Sequence, residues 1–496
     1  MPLRPVVLLF RRDLRLSDNP ALSAAAATGA PVLPLYILDD AEAFAPGGAQ
    51  RWYLHGSLRA LGRNLAERGA PLVLRRGATA EVLRAVVADS GADAVFWNRR
   101  YAPQHVEADA ALKASLSWEG VRVESCSGAL FREPWEMRTQ GGTPFRVYSP
   151  FYKSLKALGP SRTRAPDAPA ELGAGAVVAS DDLDAWGLKP TRPDWAREFP
   201  DYWTPGEAAA QDALSRFLAG AARFYADGRD RPDKESTSRL SPHLALGEIS
   251  AVAAWDAVQL ALEERRLPSA AADKFLSELC WREFAYHLMF HLPDISQKPM
   301  RPSFEAFPVR PDARKRAAWR RGQTGYPIVD AGMRQLWRTG WMHNRVRLLA
   351  ASFLTKHLLQ PWQDGVAYFW DTLVDADPAN NAMGWQWVAG SGADAAPYFR
   401  IFNPVLQGEK FDPNGDFVRK FVPELKNLPA KYIHRPWQAP TSALAAAGVR
   451  LGVDYPEPMV DHGEARDEAL AAFEQLKPEG VFDGRSDRRE QRGRGS

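Results

Sequence analysis

The chain has 496 residues, of which 45% are hydrophobic, and a formal net charge of +3. This length leaves room for two or three domains, and so small a charge is no argument by itself for binding nucleic acid. The two cysteines, Cys126 and Cys280, are too few for a disulfide framework, which fits a reducing, cytoplasmic location. They are also too few for a zinc site, so no metal site is expected. The apolar run over residues 6–10 is too short for a membrane span or a signal-peptide core.

The first part of the chain alternates short apolar runs with longer amphipathic or alanine-rich segments. The runs are predicted strands at residues 6–10, 32–38, 72–75, 94–98 and 121–125. The segments between them are predicted helices at residues 20–27, 50–68, 79–90 and 103–116. This alternation predicts an α/β domain with a parallel five-stranded, Rossmann-like sheet over residues 1–130. No G-x-G-x-x-G follows the first run, so the ordinary dinucleotide fingerprint is absent.

The rest of the chain divides by composition. Residues 131–205 are rich in Pro, Ala, Gly and Trp with little periodicity, which predicts an interdomain connector. Helical patterns dominate from residue 206, which predicts an all-α domain over residues 206–480. Residues 481–496 are rich in arginine and are predicted to form a disordered basic tail.

A hydroxyl-rich segment, Ser236-Thr-Ser-Arg-Leu-Ser-Pro-His243, follows the first helical pattern. Hydroxyls and backbone N–H groups at the start of a helix suit an anion, so the segment is a candidate phosphate cradle. The alternative interpretation is an ordinary helix capped by Ser or Thr.

The next strong helical pattern, residues 274–291, places Glu278, Trp281 and Arg282 on or near one face. A carboxylate beside an indole can hydrogen-bond a pyrimidine while the indole stacks on the base. The alternative is a buried tryptophan beside a solvated Glu–Arg pair.

The stretch 341–387 carries the densest polar signal. In a helix over residues 341–359, Asn344, Arg347 and Leu348 share a face.

A second helix is predicted to start at Asp377 and Pro378, since Asp is a good N-cap and Pro fits the first helical position. Asn381 and Trp385 lie four residues apart on this helix, next to the carboxylate of Asp375. Such groups suit a large, planar, partly anionic ligand, whereas the alternative is a helical core with a few satisfied ion pairs.

Several segments together resemble the photolyase/cryptochrome family. They are Leu9-Phe-Arg-Arg-Asp-Leu-Arg-Leu-Ser-Asp-Asn-Pro20, the hydroxyl-rich segment, Glu278-Leu-Cys-Trp-Arg282, Trp341-Met-His-Asn-Arg345, Asp375-Ala-Asp377, Asn380-Asn381, Trp385-Gln-Trp387 and Pro397-Tyr-Phe-Arg-Ile-Phe-Asn-Pro404. The resemblance extends from about Val6 to about Trp437, and features such as Trp319 and Trp337 place it near the bacterial branch allied to plant cryptochromes.

The resemblance implies an FAD cofactor in the helical domain. The residues at the matching cofactor positions are Tyr225, Thr237, Ser238, Arg239, Leu240, Ser241, Arg347, Asp375, Ala376, Asp377 and Asn381. By the resemblance, Asn381 would hydrogen-bond flavin N5 and Asp377 would bond the flavin edge. Arg347 and Asp375 would form an ion pair beside the ring system.

The resemblance also implies repair of a cyclobutane pyrimidine dimer flipped out of UV-damaged DNA, single- or double-stranded, by an electron from light-excited, reduced FAD. The catalytic residues would be Glu278, Trp281, Asn344, Asn381 and Trp387. The DNA-binding residues would be Arg229, Glu278, Trp281, Arg282, Asn344, Arg345, Arg400 and Gln407. We expect a monomeric deoxyribodipyrimidine photo-lyase.

Differences within the family select the subtype. The (6-4) photolyases have histidines at positions 344 and 348, where this chain has Asn and Leu. Plant cryptochromes lose the pocket tryptophans, and both Trp281 and Trp387 are present here. A dimer photolyase is therefore favoured over the alternative of a cryptochrome-type blue-light receptor without repair activity, and over a flavoprotein that transfers electrons in the dark.

The residues that would carry electrons to the flavin match the family pattern less completely. The family commonly uses three tryptophans, and Trp385 and Trp362 fill the first two positions. The third position aligns with Val309, which cannot carry a radical. Either the register differs or another aromatic residue takes the last step, with Trp319, Trp337 and Trp370 as the alternatives.

The antenna chromophore is not specified. One branch of the family holds a folate with an Asn–Glu pair, and the matching residues here are Gln104 and His105. A methenyltetrahydrofolate bound elsewhere, a flavin-type antenna and no antenna all stay open.

Overall fold

The computed structural model describes residues 3–173, 176–394 and 399–476. The predicted tail over residues 481–496, and Pro397 and Tyr398 of the family-like segment, lie outside these residues.

The first part of the chain folds around a parallel five-stranded sheet of strand order β3-β2-β1-β4-β5. The strands are β1 Val6–Phe10, β2 Val32–Leu38, β3 Val73–Arg76, β4 Ala94–Asn98 and β5 Arg122–Cys126. The helices between them are α1 Pro20–Ala26, α2 Gly48–Ala66, α3 Thr79–Ser90 and α4 Pro103–Trp118. The predicted α/β fold is confirmed, with every strand boundary within one residue of its predicted place.

The sheet is covered on both faces, as parallel sheets usually are. Alternate residues of β1 enter two different cores: Leu8 and Phe10 on one face, Val7 and Leu9 on the other. The strand order reverses between β1 and β4, so their carboxyl ends open one crevice toward the helical part of the chain.

The predicted connector contains a regular helix, α5 Tyr148–Leu158. Its residues Phe151 and Leu155 are buried in the same core as the longest helix of the second half. The apolar spacing of α5 produces this helix inside an otherwise irregular segment. Short 3₁₀ turns follow at Asp184–Trp186 and Phe199–Asp201.

The second half is helical, as predicted. Its helices are α6 Glu207–Ala219, α7 Tyr225–Gly228, α8 Ser241–Ala245, α9 Ala251–Glu263, α10 Ser269–His291, α11 Ala313–Arg320, α12 Pro327–Thr339, α13 Asn344–Ser352, α14 Trp362–Thr372, α15 Pro378–Ala389, α16 Pro404–Phe411, α17 Asp416–Phe421, α18 Thr441–Ala447 and α19 His462–Glu474. Short 3₁₀ turns lie at Ala221–Phe224, Pro302–Ala306, Pro423–Leu425, Ala430–Tyr432 and Pro436–Gln438. Within the three described stretches, no helix combines the length and the apolar character that crossing a membrane requires.

Helix α13 is shorter than the predicted 341–359. It begins at Asn344 because the ring Nδ1 of His343 accepts the backbone N–H of Arg345 at 3.2 Å and caps the helix. It ends in a π-helical turn, Phe353–His357. The π-turn buries Lys356 and His357 in the protein interior. The predicted Asp377 cap of α15 is observed, with Asn380 N donating to its Oδ1 at 2.8 Å.

Candidate active site

A partly buried ion pair joins Arg347 and Asp375, two of the residues predicted to hold the flavin. Arg347 Nη2 donates to Asp375 Oδ2 at 2.7 Å, and Arg347 Nε donates to the carbonyl of Met342 at 2.7 Å. The second carboxylate oxygen, Asp375 Oδ1, is buried and has no hydrogen-bond partner among the described residues. A buried carboxylate oxygen ordinarily has a donor. The site therefore fits a ligand that brings an N–H group, as the imide edge of a flavin does.

The hydroxyl-rich segment has an unusual backbone at its centre. Arg239 has φ +53, a left-handed conformation that non-glycine residues adopt at a cost and that concentrates at ligand sites. Its guanidinium lies 5.1 Å from the ring of Trp341. Trp341 Nε1 in turn donates to Ser241 Oγ at 3.2 Å, and Leu240 N donates to Ser238 Oγ at 3.4 Å. Positive charge and hydroxyls converge here, which is the chemistry a diphosphate requires.

Trp341 connects this segment to the ion pair. The guanidinium of Arg347 lies 5.9 Å from the Trp341 ring, and that of Arg239 lies 5.1 Å from it. The structure thus brings together the phosphate candidates and the ring candidates, which are more than a hundred positions apart in the sequence. Tyr225 is buried nearby, with the Arg229 guanidinium 6.0 Å from its ring.

Asp377 accepts protein hydrogen bonds at both of its carboxylate oxygens. Its Oδ1 accepts the backbone N and the side-chain Nδ2 of Asn380, both at 2.8 Å. Its Oδ2 accepts the hydroxyl of Tyr286 at 2.6 Å. Asp377 therefore fixes the start of α15, and because a carboxylate can accept about four hydrogen bonds, its predicted bond to the flavin edge stays a prediction.

The carbonyl of Ala376 is held by the α/β domain. It accepts Arg12 Nη1 at 3.2 Å and Gln50 Nε2 at 2.7 Å. Through these two hydrogen bonds, the α/β domain positions the segment between Asp375 and Asp377.

Asn381 and Trp385 follow on α15. Asn381 Nδ2 donates to the carbonyl of Val366 at 3.1 Å, which fixes the orientation of the amide. Trp385 is 2% exposed, and its Nε1 has no partner among the described residues. Its ring packs edge-on against Phe369 at 4.9 Å.

The pyrimidine side of the site is formed by α10. The indole of Trp281 is covered on one face by Tyr148, with ring centroids 3.5 Å apart and planes 9° apart. Tyr148 is itself anchored by a hydroxyl bond to the carbonyl of Ser277 at 2.7 Å. Sequence reasoning did not single out Tyr148, although it lies in a segment, residues 143–153, that resembles the family.

Four predicted DNA contacts, Arg229, Glu278, Asn344 and Arg345, lie together at the rim of this site. Arg229 forms an ion pair with Glu278, and Arg345 Nη2 lies 2.8 Å from Asp230 Oδ2. Burial opposes ionisation of Asp230, but the hydrogen bond and charge of Arg345 lower its pKa. Asn344 is exposed at the first position of α13.

The remaining predicted site residues are more dispersed. Trp387 is half-buried on α15, Gln407 is half-buried on α16, and Arg400 is exposed. Asn403 caps α16, accepting Val405 N at 3.0 Å, and so holds the helix that carries Gln407.

Arg282 was also predicted to contact DNA, but it lies apart from the other residues of that group. It donates to the carbonyl of Ala129 at 3.0 Å, lies 3.1 Å from Glu283 and covers the ring of Tyr286 at 5.1 Å. The next position after Trp281 on a helix points about 100° away, which turns Arg282 into the interior. Burial also raises the pKa of Glu283 to about 7, against the opposing effect of Arg282.

The segment that carries Val309 is hydrogen-bonded to the residues just before Trp362. Arg310 N donates to the carbonyl of Leu359 at 2.7 Å, and Gln360 Nε2 donates to the carbonyl of Arg310 at 2.7 Å. The segment with Val309 therefore runs beside the residues that lead into Trp362.

Among the alternative aromatic residues, Trp319 is the one in ring contact with Trp385. Their centroids are 6.3 Å apart, and Trp319 lies 5.6 Å from the partly exposed Tyr368. Trp370 instead donates to the carbonyl of Ala45, and Trp337 packs near Trp195 at the surface.

The predicted antenna positions border the crevice at the ends of β1 and β4. His105 is bonded to the carbonyl of Ala43 at 2.8 Å, and burial lowers its pKa to about 3. Arg100, which pairs with Glu42 and Asp109, lines this crevice, whose cavity volume is about 40 Å³. The three antenna alternatives stay predictions.

Comparison with known proteins identifies the family of this chain. Residues 275–475 match the FAD binding domain of DNA photolyase, and residues 6–180 match the DNA photolyase family. The deoxyribodipyrimidine photo-lyase of Agrobacterium fabrum is 54% identical over 95% of this chain and 98% of its own length. The chain belongs to the photolyase/cryptochrome family. Its FAD cofactor, predicted above, is confirmed by the matching domain.

Other relatives in the photolyase/cryptochrome family agree with the predicted branch. Cryptochrome-1 of Arabidopsis thaliana is 37% identical over 95% of this chain and 71% of its own length. The crystal structure of a bacterial class III photolyase from Agrobacterium tumefaciens matches with a TM-score of 0.93 and 53% identity, covering 96% of this chain and 98% of that one.

Proposed function

We propose that this protein is a deoxyribodipyrimidine photo-lyase that uses light to split cyclobutane pyrimidine dimers in DNA. The observation that carries this proposal is the double role of α10. Helix α10 presents Trp281, stacked against Tyr148, beside Glu278. Five residues further on, Tyr286 bonds the flavin-binding segment through Asp377 at 2.6 Å. One rigid helix thus holds the base-stacking surface next to the cofactor segment.

Reduced FAD, when bound, supplies light absorption and an electron for the dimer. The chain's own residues hold and surround it. Asp375 Oδ1 would accept a ring N–H, Arg347 would balance negative charge on the ring, and the amide of Asn381 would face its edge. The segment Thr237–Ser241, with Arg239 at its centre, would hold the diphosphate.

The DNA side is proposed to use Trp281 and Trp387 as packing surfaces for the two pyrimidines. Glu278 and Asn344 would hydrogen-bond the bases. Arg229, Arg345, Arg400 and Gln407 would grip the strand around the lesion, so affinity for DNA should fall as salt rises. Extrusion of a dimer costs less than extrusion of an intact base pair, which favours damaged sites before any contact is made.

Several features of the sequence stay predictions within this proposal. They are the division into residues 1–130, 131–205, 206–480 and 481–496, the monomeric state and the cytoplasmic location. The choice between single- and double-stranded substrate is also open to measurement.

A repair assay with light and dark arms tests the proposal. Purified protein with chemically reduced FAD is mixed with an oligonucleotide that contains one thymine dimer, and the return of thymine absorbance is followed. Repair in light and none in the dark is expected. A cryptochrome-type receptor would bind FAD and respond to light without repair, and that result would overturn the proposal.

A further inference from the structure

A groove at the surface of the helical domain combines an exposed aromatic ring with arginines. It lies between the 3₁₀ turn Ala221–Phe224 and the connection from α9 to α10, and its cavity volume is about 500 Å³. The aromatic ring of Phe224 is 70% exposed. The other lining residues are Arg223, Leu262, Arg265, Arg266, Leu267, Pro268 and Ser269.

The groove carries uncompensated positive charge. Arg223 Nε donates to the carbonyl of Arg266 at 3.3 Å, so its charge has no carboxylate partner in that contact. Arg266 is paired with Glu264. Arg265 is exposed and has no ion-pair partner in the described part of the chain. Arg223 and Arg265 therefore line the groove with Phe224 and have no carboxylate partner in the described part of the chain.

The groove is continuous with the proposed DNA site along two elements. Helix α10 starts in the groove at Ser269 and reaches Glu278 nine residues later, about 13 Å along the axis at 1.5 Å per residue. On the other side, Phe224 directly precedes the short helix α7, which ends at Gly228, just before Arg229. Arg229 and Glu278 pair with each other at the rim of the lesion site.

We propose that this groove binds the single DNA strand that flanks the lesion. The inference rests on the proposed function and extends its DNA site. Aromatic rings that stack on bases, combined with cations that follow the phosphates, are how proteins bind single strands without sequence preference. A paired flank would keep its base faces stacked inside the duplex, where Phe224 could not reach them.

The test compares two single-stranded oligonucleotides that each contain one thymine dimer. The short one has a single nucleotide on each side of the dimer, and the long one has eight on one side, made in both polarities. Affinity is measured by fluorescence anisotropy in the dark, and the long-to-short affinity ratio is the readout. Removing one stacked base is worth about 1 kcal/mol or more, so Phe224→Ala should lower the ratio about fivefold for one polarity.

The arginines provide an independent variant. Arg223→Gln with Arg265→Gln should reduce the slope of log affinity against log salt for the long strand by about 1.4, at about 0.7 per charge. Matched controls on the α/β domain are Trp118→Ala, which removes a side chain that is 90% exposed, and the exposed pair Arg63→Gln with Arg122→Gln. The controls should leave the ratio and the slope unchanged.

The outcomes separate this inference from the proposed function. An unchanged ratio for Phe224→Ala in both polarities, while light-dependent repair of the short strand persists, overturns the groove and leaves the photolyase intact. If Phe224→Ala lowered the long-to-short affinity ratio equally when the flank was a duplex, the stacking role would be overturned, because a duplex flank offers this groove only phosphate contacts. No repair of the short strand by the unaltered protein overturns the proposed function instead.

Discussion

Replacement of Gly365 by alanine tests how closely the chain packs around Trp385. A Cβ at position 365 would lie 2.0 Å from Cη2 and 2.4 Å from Cζ2 of the Trp385 ring. Ordinary carbon contacts are about 3.5–4.0 Å, so the indole would have to move by about 1.5 Å. It has little space to do so, because it is 2% exposed and packs against Phe369 at 4.9 Å.

The expected cost follows from two opposing effects. Overpacking costs about 1–3 kcal/mol, and at this degree of overlap we expect the upper end. Alanine in a helix interior returns about 1 kcal/mol relative to glycine. Gly365→Ala should therefore lower the free energy of unfolding by about 2 kcal/mol, measured by urea denaturation. Since the displaced ring is the proposed first electron carrier, flavin photoreduction should also slow.

Gly384 is the matched control, because it precedes Trp385 on α15 and an added Cβ there meets no heavy atom within 4 Å. Gly384→Ala should leave photoreduction unchanged and stabilise the protein by up to about 1 kcal/mol. If Gly365→Ala matched this control in both stability and photoreduction, the packing argument would be refuted.

Four further variants have clear expected outcomes. Trp281→Ala with Glu278→Ala should abolish light-dependent dimer repair while the protein keeps its FAD absorbance; repair at the unaltered rate would remove both residues from the proposed pocket. Val309→Trp should speed flavin photoreduction and Trp319→Phe should slow it, as followed by flavin absorbance under illumination. In the native state burial raises the pKa of Glu283 to about 7, so its contribution to stability is present below the unfolded pKa and is lost as pH rises through 7. Glu283→Gln should remove that loss, so urea denaturation at pH 5 and pH 8 should show a smaller decline in the variant than in the unaltered protein.

The fold could be predicted well because its signals are local. Apolar runs separated by helical patterns locate each strand, and Asp377 followed by Pro378 locates the start of α15. The two ends of the predicted helix over 341–359 are less predictable. There the His343 cap and the burial of Lys356 in a π-turn depend on tertiary packing rather than on spacing.

The site was predictable as a set of residue types but not as a set of contacts. Asp377 and Tyr286 are 91 positions apart, and no periodicity announces that they bond. Tyr148 reaches Trp281 from a segment with little regular pattern. Arg282 shares a motif with Trp281 yet points inward, because adjacent positions on a helix diverge.

The hydrogen bonds from Arg12 and Gln50 to the Ala376 carbonyl limit how the chain can be divided into fragments. The loop that faces the cofactor is shaped partly by side chains more than 300 positions earlier in the chain. A fragment that starts at residue 206 would lose these two donors and leave that carbonyl without them. Chimaeras that exchange the first domain between relatives should therefore keep both side chains. Otherwise, changes in flavin absorbance and photochemistry would reflect a distorted loop and not the exchanged domain.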